Sequence, residues 1–440
     1  MKYHIHTLGC QMNIADSLRL ASGLEKLGAT KTEDIAEADI AVLNTCVVRQ
    51  SAEDRAYGWL NRVGEIKRNT RPDLTVGLMG CLVGVKGNKK VAGTFPDIDV
   101  FLPPSDPEPL LNLVEQQTEK RSETNIVGRR HSIQDGELVL PAEDCGTTFV
   151  SYVPVVYGCS HACTFCIIPF RRGVERSRPV DQIVAECKSL ALQGVKEITL
   201  LGQIVDRYGY DLQDDSNLAL LLEQVHDIQG LERIRFLTSH PNYLDDELLR
   251  TVADLPKICD HIEVPVQSGN NEILEKMRRG YTVEQYNKLI ERIREFMPKG
   301  SISCDVIVGF PGETESQFKD TCDLLSQHKF DKVHIAKYSP RPGTVSARRM
   351  EDDIPAKVKE NRRKTLDDIQ ASVQSDINLQ LLGNKEEVLV EGYQRGKWRG
   401  RTRTNKLVFF EDDREWAGNL VDVEIKWTGP WFMEGKLVAP

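Results

Sequence analysis

No apolar run in this chain approaches the roughly 18 residues that a membrane span needs. The opening segment Met1–Cys10 also lacks the basic-then-apolar pattern of a secretory signal. The expectation is a cytoplasmic protein with no membrane contact. Positive charge is in short supply as well. Its 57 Lys and Arg are outnumbered by 66 Asp and Glu, for a formal net charge of −9, so the molecule as a whole repels polyanions and any nucleic-acid contact must be local. Aromatic residues make up only 7%, whereas 40% hydrophobic and 28% charged residues are ordinary for a soluble globular chain. Cysteine is not scarce. The 11 thiols are poor disulfide candidates in a chain without an export signal, because cytosolic thiols are kept reduced; metal binding, catalysis or plain burial is left.

At about 150 residues per domain, 440 residues predict two to four domains. The first hundred alternate short apolar runs (Tyr3–Leu8, Ile40–Asn44, Thr75–Met79, Ile98–Leu102) with helical stretches at Asp16–Leu27 and Ala52–Lys67. This rhythm predicts a Rossmann-like parallel sheet with helices on its faces, whose ligands sit in the loops after the strands. Cys10, Cys46 and Cys81 fall at or just past those strand ends. Periodicity dissolves from about Gln116 to Tyr152, and a second β/α series follows: Val153–Tyr157, Glu197–Leu201, Arg233–Leu237, His261–Val266, Ile302–Val308 and Lys332–Tyr338, with helices such as Val180–Leu192 and Val283–Phe296 between them. Such a series suits a partial (β/α)6 version of the closed eight-unit barrel, with its chemistry at the C-terminal strand ends. After a charged helix at Ile354–Leu382, Val388–Glu391, Lys406–Phe410, Leu420–Lys426 and Lys436–Val438 alternate as strands, which fits a small antiparallel β-barrel. The overall class is α/β. The boundaries are placed at 1–118, 119–144 (linker), 145–375 and 376–440.

The sharpest signal is Gly158-Cys159-Ser160-His161-Ala162-Cys163-Thr164-Phe165-Cys166, three thiols at C-x3-C-x2-C spacing after a predicted strand. Three thiolates can hold three irons of a cubane and leave the fourth open to a substrate or cofactor. Zinc would need a fourth ligand. His161 lies too close along the chain to close a tetrahedron easily, and Cys187 sits in a predicted helix. An electron-carrying ferredoxin would show a fourth nearby cysteine followed by proline, which is absent. By spacing alone, Cys10, Cys46 and Cys81 could be a second open-iron set or three separately buried thiols. Cys145, Cys187, Cys259, Cys304 and Cys322 have no metal-like spacing, and burial is expected for them.

These motifs resemble the radical S-adenosylmethionine enzymes, and more narrowly their methylthiotransferase family. Gly9-Cys10-Gln11-Met12-Asn13, Asn44-Thr45-Cys46-Val47-Val48-Arg49 and Gly80-Cys81 resemble the three motifs of that family's N-terminal domain. The resemblance implies two 4Fe–4S clusters, one on Cys159, Cys163 and Cys166 and an auxiliary one on Cys10, Cys46 and Cys81. It also implies S-adenosylmethionine bound near Phe165, Gly202, Gln203, Gln267, Asp305 and Gly309. The implied chemistry is reductive cleavage to a 5′-deoxyadenosyl radical, which removes a hydrogen too inert for acid–base catalysis.

Cys166–Arg178, Thr238-Ser239-His240-Pro241, Val264–Gly269, Met277–Thr282 and Tyr338–Thr344 resemble the branch that adds methylthio to C2 of N(6)-isopentenyladenosine beside the tRNA anticodon. Gln11-Met12, where the aspartate-modifying branch has Pro-Lys, points the same way. One departure is Gly202-Gln203-Ile204-Val205-Asp206, in place of the more usual Gly-Gln-Asn-Val-Asn. Methylthiolation of threonylcarbamoyladenosine or of a ribosomal-protein aspartate is the enzyme alternative. A non-catalytic iron–sulfur carrier fused to an RNA-binding module is the alternative from another class.

The C-terminal segment resembles the TRAM RNA-binding barrel. Arg395, Lys397, Arg399, Arg401, Arg403 and Lys406 form a basic stripe beside Trp398 and Phe409. Of these, Arg399, Arg401, Arg403 and Lys406 are the expected RNA contacts, with Arg171, Arg172, Arg176 and Arg178 adding charge near the cluster loop. A solvated hairpin would show the same charges. The expected partners are the tRNA anticodon stem-loop and an electron-donor protein such as a flavodoxin or ferredoxin. The chain is expected to act as a monomer.

Overall fold

The computed structural model describes residues 1–48, 50–117, 136 and 138–438. The N-terminal sheet is parallel, in the order β2 (Thr30–Lys31), β1 (Lys2–Thr7), β3 (Ile40–Thr45), β4 (Thr75–Gly80), β5 (Val100–Leu102). β3 is buried along its whole length, as a central strand covered on both faces must be. The helices Gln11–Lys26 and Gln50–Asn69 start directly behind the Cys10 and Cys46 loops.

The central unit carries two parallel three-stranded sheets. β6 (Val150–Pro154), β9 (Glu197–Leu201) and β10 (Arg233–Leu237) form one; β11 (His261–Glu263), β12 (Ser301–Val308) and β13 (Lys332–Lys337) form the other. They meet along β10 and β11, where Cys259 N donates to Ile234 O at 2.9 Å and Ser239 N to Glu263 O at 3.1 Å. This is the expected open barrel, and its strands' C-terminal ends share one rim. The short strands β7 (Val156–Tyr157) and β8 (Arg176–Ser177) pair antiparallel and bracket the cluster loop.

The linker expectation at 119–144 lies outside the described residues up to 135 and at 137. Leu138 and Leu140, also within that stretch, are buried in the central core, where Gln193 donates to Leu138 O at 3.1 Å and accepts from Leu140 N at 2.7 Å. The helix Ala356–Leu379 runs unbroken past 375. The closed terminal barrel follows, with strand order β14 (Lys385–Gln394), β15 (Lys397–Thr402), β16 (Leu407–Phe410), β18 (Met433–Leu437), β17 (Leu420–Thr428). The sequence reading has no strand at 397–402. There the basic stripe is itself a strand, with Trp398, Gly400 and Thr402 turned inward between the charged residues.

The terminal barrel seats on the bottom rim of the central one. Arg233, fully buried, donates to Arg401 O at 2.7 Å and to Glu387 O at 2.9 Å and pairs with the Glu387 carboxylate at 2.8 Å. Arg235 donates to Thr402 O and Arg403 O. Among the described residues no helix is long and apolar enough to cross a membrane. Arg233→Ala strips both carbonyls and a carboxylate of their donor, and should destabilise the seam by roughly 2–3 kcal/mol. Thermal unfolding followed with limited proteolysis around Leu382 and Gly383 tests this. An unchanged melting temperature and cleavage pattern would show that the barrel is held elsewhere.

Candidate functional site

The first triplet is assembled by two buried asparagines. Asn13 Nδ2 donates to Leu8 O at 3.0 Å, Thr45 O at 2.8 Å and Asn44 Oδ1 at 3.1 Å, and Asn44 Nδ2 donates back to Asn13 O at 2.9 Å. Cys81 N donates to Thr45 O at 3.0 Å, which brings in the third loop. Gly9 is required here: at φ +133°, a Cβ would stand 2.8 Å from Cys46 Cβ. Cys46 and Cys81 are buried and Cys10 is exposed. Burial pushes the Cys81 thiol up to about 11, and the nearby Cys46 and Cys10 add to that, while Arg172 opposes it. Cys10 Sγ lies 3.6 Å from Asn13 Oδ1.

The second triplet sits at the top rim of the central barrel. Gly158 opens the loop at φ +69°, where any Cβ would fall 2.1 Å from Val174 O. Thr164 pins the loop, its N donating to Met277 O at 3.1 Å and its Oγ1 to Lys276 O at 2.8 Å. Cys159 is buried, Cys163 and Cys166 half-buried. Burial raises Cys159 to about 11 and Cys166 to about 12, with neighbouring thiols adding to the rise. His161 N reaches Cys159 Sγ at 3.4 Å, and Arg279 Nη1 reaches Cys163 Sγ at 3.3 Å.

Among the described residues, no three His, Cys, Asp or Glu side chains form a set that could hold a single metal ion. A cubane asks for a wider arrangement, because each of its thiolates goes to a different iron. Within each triplet the thiols lie close enough to act on one another's ionisation, which suits a group that spans several irons better than a single zinc ion.

The positions expected to hold S-adenosylmethionine distribute along the same rim. Gly202 and Gln203 follow β9, Gln267 follows β11, and Gly309 follows β12, with Asp305 within that strand. Gln267 is held at φ +74° and Thr238, just past β10, at φ +71°. Such backbone is sparsely populated by side-chain-bearing residues and gathers at ligand sites. Phe165 packs with Ile273, Met277, Phe310 and Tyr338. Gly309 N donates to Glu313 at 2.7 Å. Beside Asp305, Glu263 is pushed up to about 8 by burial and by the Asp305 charge. Past β10, Ser239 Oγ and His240 Nε2 are buried with no hydrogen-bond partner among the described residues, and the His240 ring lies 4.6 Å from that of His161 in the cluster loop. Orphaned polar atoms there suit a polar ligand.

Several arginines have other employment than the sequence suggests. Arg172 and Arg178 are buried, Arg178 pairing with Glu186 at 2.6 Å, so neither presents charge to RNA. Arg403 pairs with Asp260 at 3.1 Å and Lys406 with Asp331 at 2.7 Å, which commits both to the seam between the two barrels. Arg399 and Arg401, with Lys406, line a cavity of about 560 Å3 running from the terminal barrel, past Trp431 and Phe432, through the central lumen to Gln11 beside Cys10, and Arg401 pairs there with Glu391 at 3.2 Å. Of the remaining thiols, Cys187, Cys259 and Cys304 are buried; Cys145 is exposed and Cys322 half-buried, against expectation. Asn13, Asn44 and Arg279 carry no site role in the sequence reading, and Arg172 is there a charge offered to RNA. Asn13 and Asn44 stand inside the quoted cysteine motifs, and that proximity was their one available signal.

Three family models match: the Radical SAM superfamily over residues 153–325, Uncharacterized protein family UPF0004 over 2–103 and the TRAM domain over 380–438. A tRNA-2-methylthio-N(6)-dimethylallyladenosine synthase of Herpetosiphon aurantiacus is 44% identical over 443 residues, covering 100% of this chain and 98% of that one. Its namesake in Roseiflexus sp. is 45% identical, over 99% of this chain and 89% of the relative. Among solved structures, the radical S-adenosylmethionine methyltransferase TsrM from Kitasatospora setae, with cobalamin and a 4Fe–4S cluster bound, has a TM-score of 0.57 at 15% identity, over 79% of this chain and 77% of that one. That likeness concerns the fold.

Asp206, one of the two departures from the usual motif, is buried and accepts His240 N on both oxygens, at 2.9 and 3.1 Å. Burial raises its carboxyl to about 8, against the His240 amide that lowers it. An unfolded Asp ionises near 3.9. Between those values the native state keeps a proton that the unfolded state releases, so stability falls as pH rises through the window. Asp206→Asn preserves the shape and removes the titration. Its urea midpoint should match the parent's at about pH 4 and exceed it at about pH 8.5; an equal gap at both would refute the assignment.

Proposed function

Because this chain belongs to the family of tRNA-2-methylthio-N(6)-dimethylallyladenosine synthases, we propose that its two thiol triplets form one reaction centre, each holding a 4Fe–4S cluster. The enzyme is a radical S-adenosylmethionine tRNA methylthiotransferase, installing methylthio at C2 of N(6)-dimethylallyladenosine. The observation that carries the two-cluster reading is the segment from Cys166 to Gly173. It leaves the second triplet and plugs into the first: Ile167 is buried in the N-terminal core with Val47, Cys81, Leu82 and Val83, and Val85 N donates to Arg171 O at 2.9 Å.

When bound, the cluster on Cys159, Cys163 and Cys166 supplies the electron for reductive cleavage of S-adenosylmethionine, and that on Cys10, Cys46 and Cys81 supplies an open iron for sulfur and its methyl group. The chain's own residues hold and shield. Gly202, Gln203, Gln267 and Gly309 line the rim where S-adenosylmethionine binds, Asp305 stands below it, and Phe165 walls it. Ile167 and its neighbours keep water out of the gap between the triplets, where quenching would otherwise compete. The adenine must leave its stack to reach them, which suits recognition of a single-stranded anticodon loop. Arg399 and Arg401 with Trp431 supply phosphate attraction and a stacking face at the cavity's outer end. A flavodoxin or ferredoxin delivers the electron, and one chain suffices for the reaction.

Anaerobic reconstitution is expected to give about eight irons per chain, falling to about four when either triplet is changed to alanine. Cys159→Ala, Cys163→Ala, Cys166→Ala should abolish 5′-deoxyadenosine formation. Cys10→Ala, Cys46→Ala, Cys81→Ala should keep it and lose the methylthiolated nucleoside by mass spectrometry. Cleavage surviving the first set would overturn the assignment. Arg399→Ala with Arg401→Ala should weaken tRNA binding and flatten the slope of log affinity against log salt by about 1.5; an unaltered slope would remove both from the interface.

A further inference from the structure

We infer that Arg172 is a positioning residue of the auxiliary centre, a cation delivered from the central domain to offset the charge on Cys10, Cys46 and Cys81 and to raise the reduction potential of the cluster they hold. The inference rests on those cysteines being ligands.

Arg172 closes the short helix Ile168–Arg172, downstream of Cys166, yet its guanidinium lies inside the other domain. The side chain is 3% exposed. Nη1 donates to Ser105 Oγ at 3.2 Å and Nη2 to Asn13 Oδ1 at 3.0 Å, the oxygen that also takes the Cys10 thiol. Cys81 lies close enough to the same guanidinium for the two charges to act on each other. Nη2 also pairs with the buried Asp16 carboxylate at 3.5 Å.

A cubane with three thiolates carries net negative charge that grows on reduction, and fixed positive charge and hydrogen bonds to its sulfurs favour the reduced form. Arg172 supplies the charge, and its bond to Asn13 Oδ1 links it to the Cys10 side chain. Arg279 contacts the other triplet at Cys163, so removing Arg172 alters one centre and leaves the second arginine in place.

The full-length chain carrying Cys159→Ala, Cys163→Ala, Cys166→Ala isolates the auxiliary centre. It is reconstituted with iron and sulfide and titrated by electron paramagnetic resonance, alone and with Arg172→Gln or Arg172→Lys added. The expected result is about four irons in each, a midpoint potential shifted downward by Arg172→Gln, and one near the parent's with Arg172→Lys. If Arg172→Gln takes up no iron while Arg172→Lys loads and titrates as the parent, the charge role stands. Equal potentials in all three would overturn it. So would a fall shared by both variants, or loss of iron from both, since the role would then be one of shape. A parent background that takes up no cluster would instead bring down the ligand assignment, and this inference with it.

Discussion

On the assignment proposed above, thiols that have to ionise to hold metal sit where burial resists ionisation, and much of the architecture answers that conflict. Cys81, Cys159 and Cys166 are all driven upward by desolvation. Left alone, they would stay protonated and inert. The protein supplies donors instead. His161 N faces Cys159 and Val48 N faces Cys46 at 3.4 Å, while guanidiniums from distant segments face Cys163 and Cys81. Each donor is fixed by something else: Arg279 by Tyr281 and Pro265 O, Arg172 by Asn13 and Ser105. Burial of the centre and attachment of the domains are thus achieved by the same side chains.

The same economy governs the joints. Arg19 of the N-terminal helix and Arg178 of the central domain share the fully buried Glu186, at 2.7 and 2.6 Å. Arg341 reaches back to Val48 O and Gln50 at 3.1 Å, closing the side of the Cys46 loop. Buried pairs of this kind add little net stability over an apolar contact, but removing one partner is severe because the other is left charged and dry. They fix the relative placement of the units. For a reaction centre built, as proposed, from both triplets, placement is what matters.

The β/α rhythm was legible in sequence because parallel strands buried on both faces leave uninterrupted apolar runs, as at Ile40–Asn44 and Ile302–Val308. The cysteine triplets stand out in the sequence by spacing and motif. The asparagines that assemble the first triplet do not, since a buried Asn bonding to three loops looks in sequence like any turn residue. Nor do the roles of Arg172 and Arg279, whose partners are distant in the chain. The stretch around Leu138 read as linker for a related reason: two leucines amid polar residues carry no periodicity, and it is Gln193, from another element, that fixes them.

The basic stripe shows most clearly why charge runs mislead. In strand β15 and the turn after it, Arg399, Arg401 and Arg403 alternate with inward residues, so period two puts all three on one outward face. That face is not uniformly solvent. Its far end lies against the bottom of the central barrel, where Asp260 and Asp331 meet Arg403 and Lys406 and where Arg233 and Arg235 take the backbone carbonyls of 401–403. Its near end borders the cavity. Composition could count the charges, but only the sheet's position against a second domain shows that Arg403 and Lys406 tie the two barrels together.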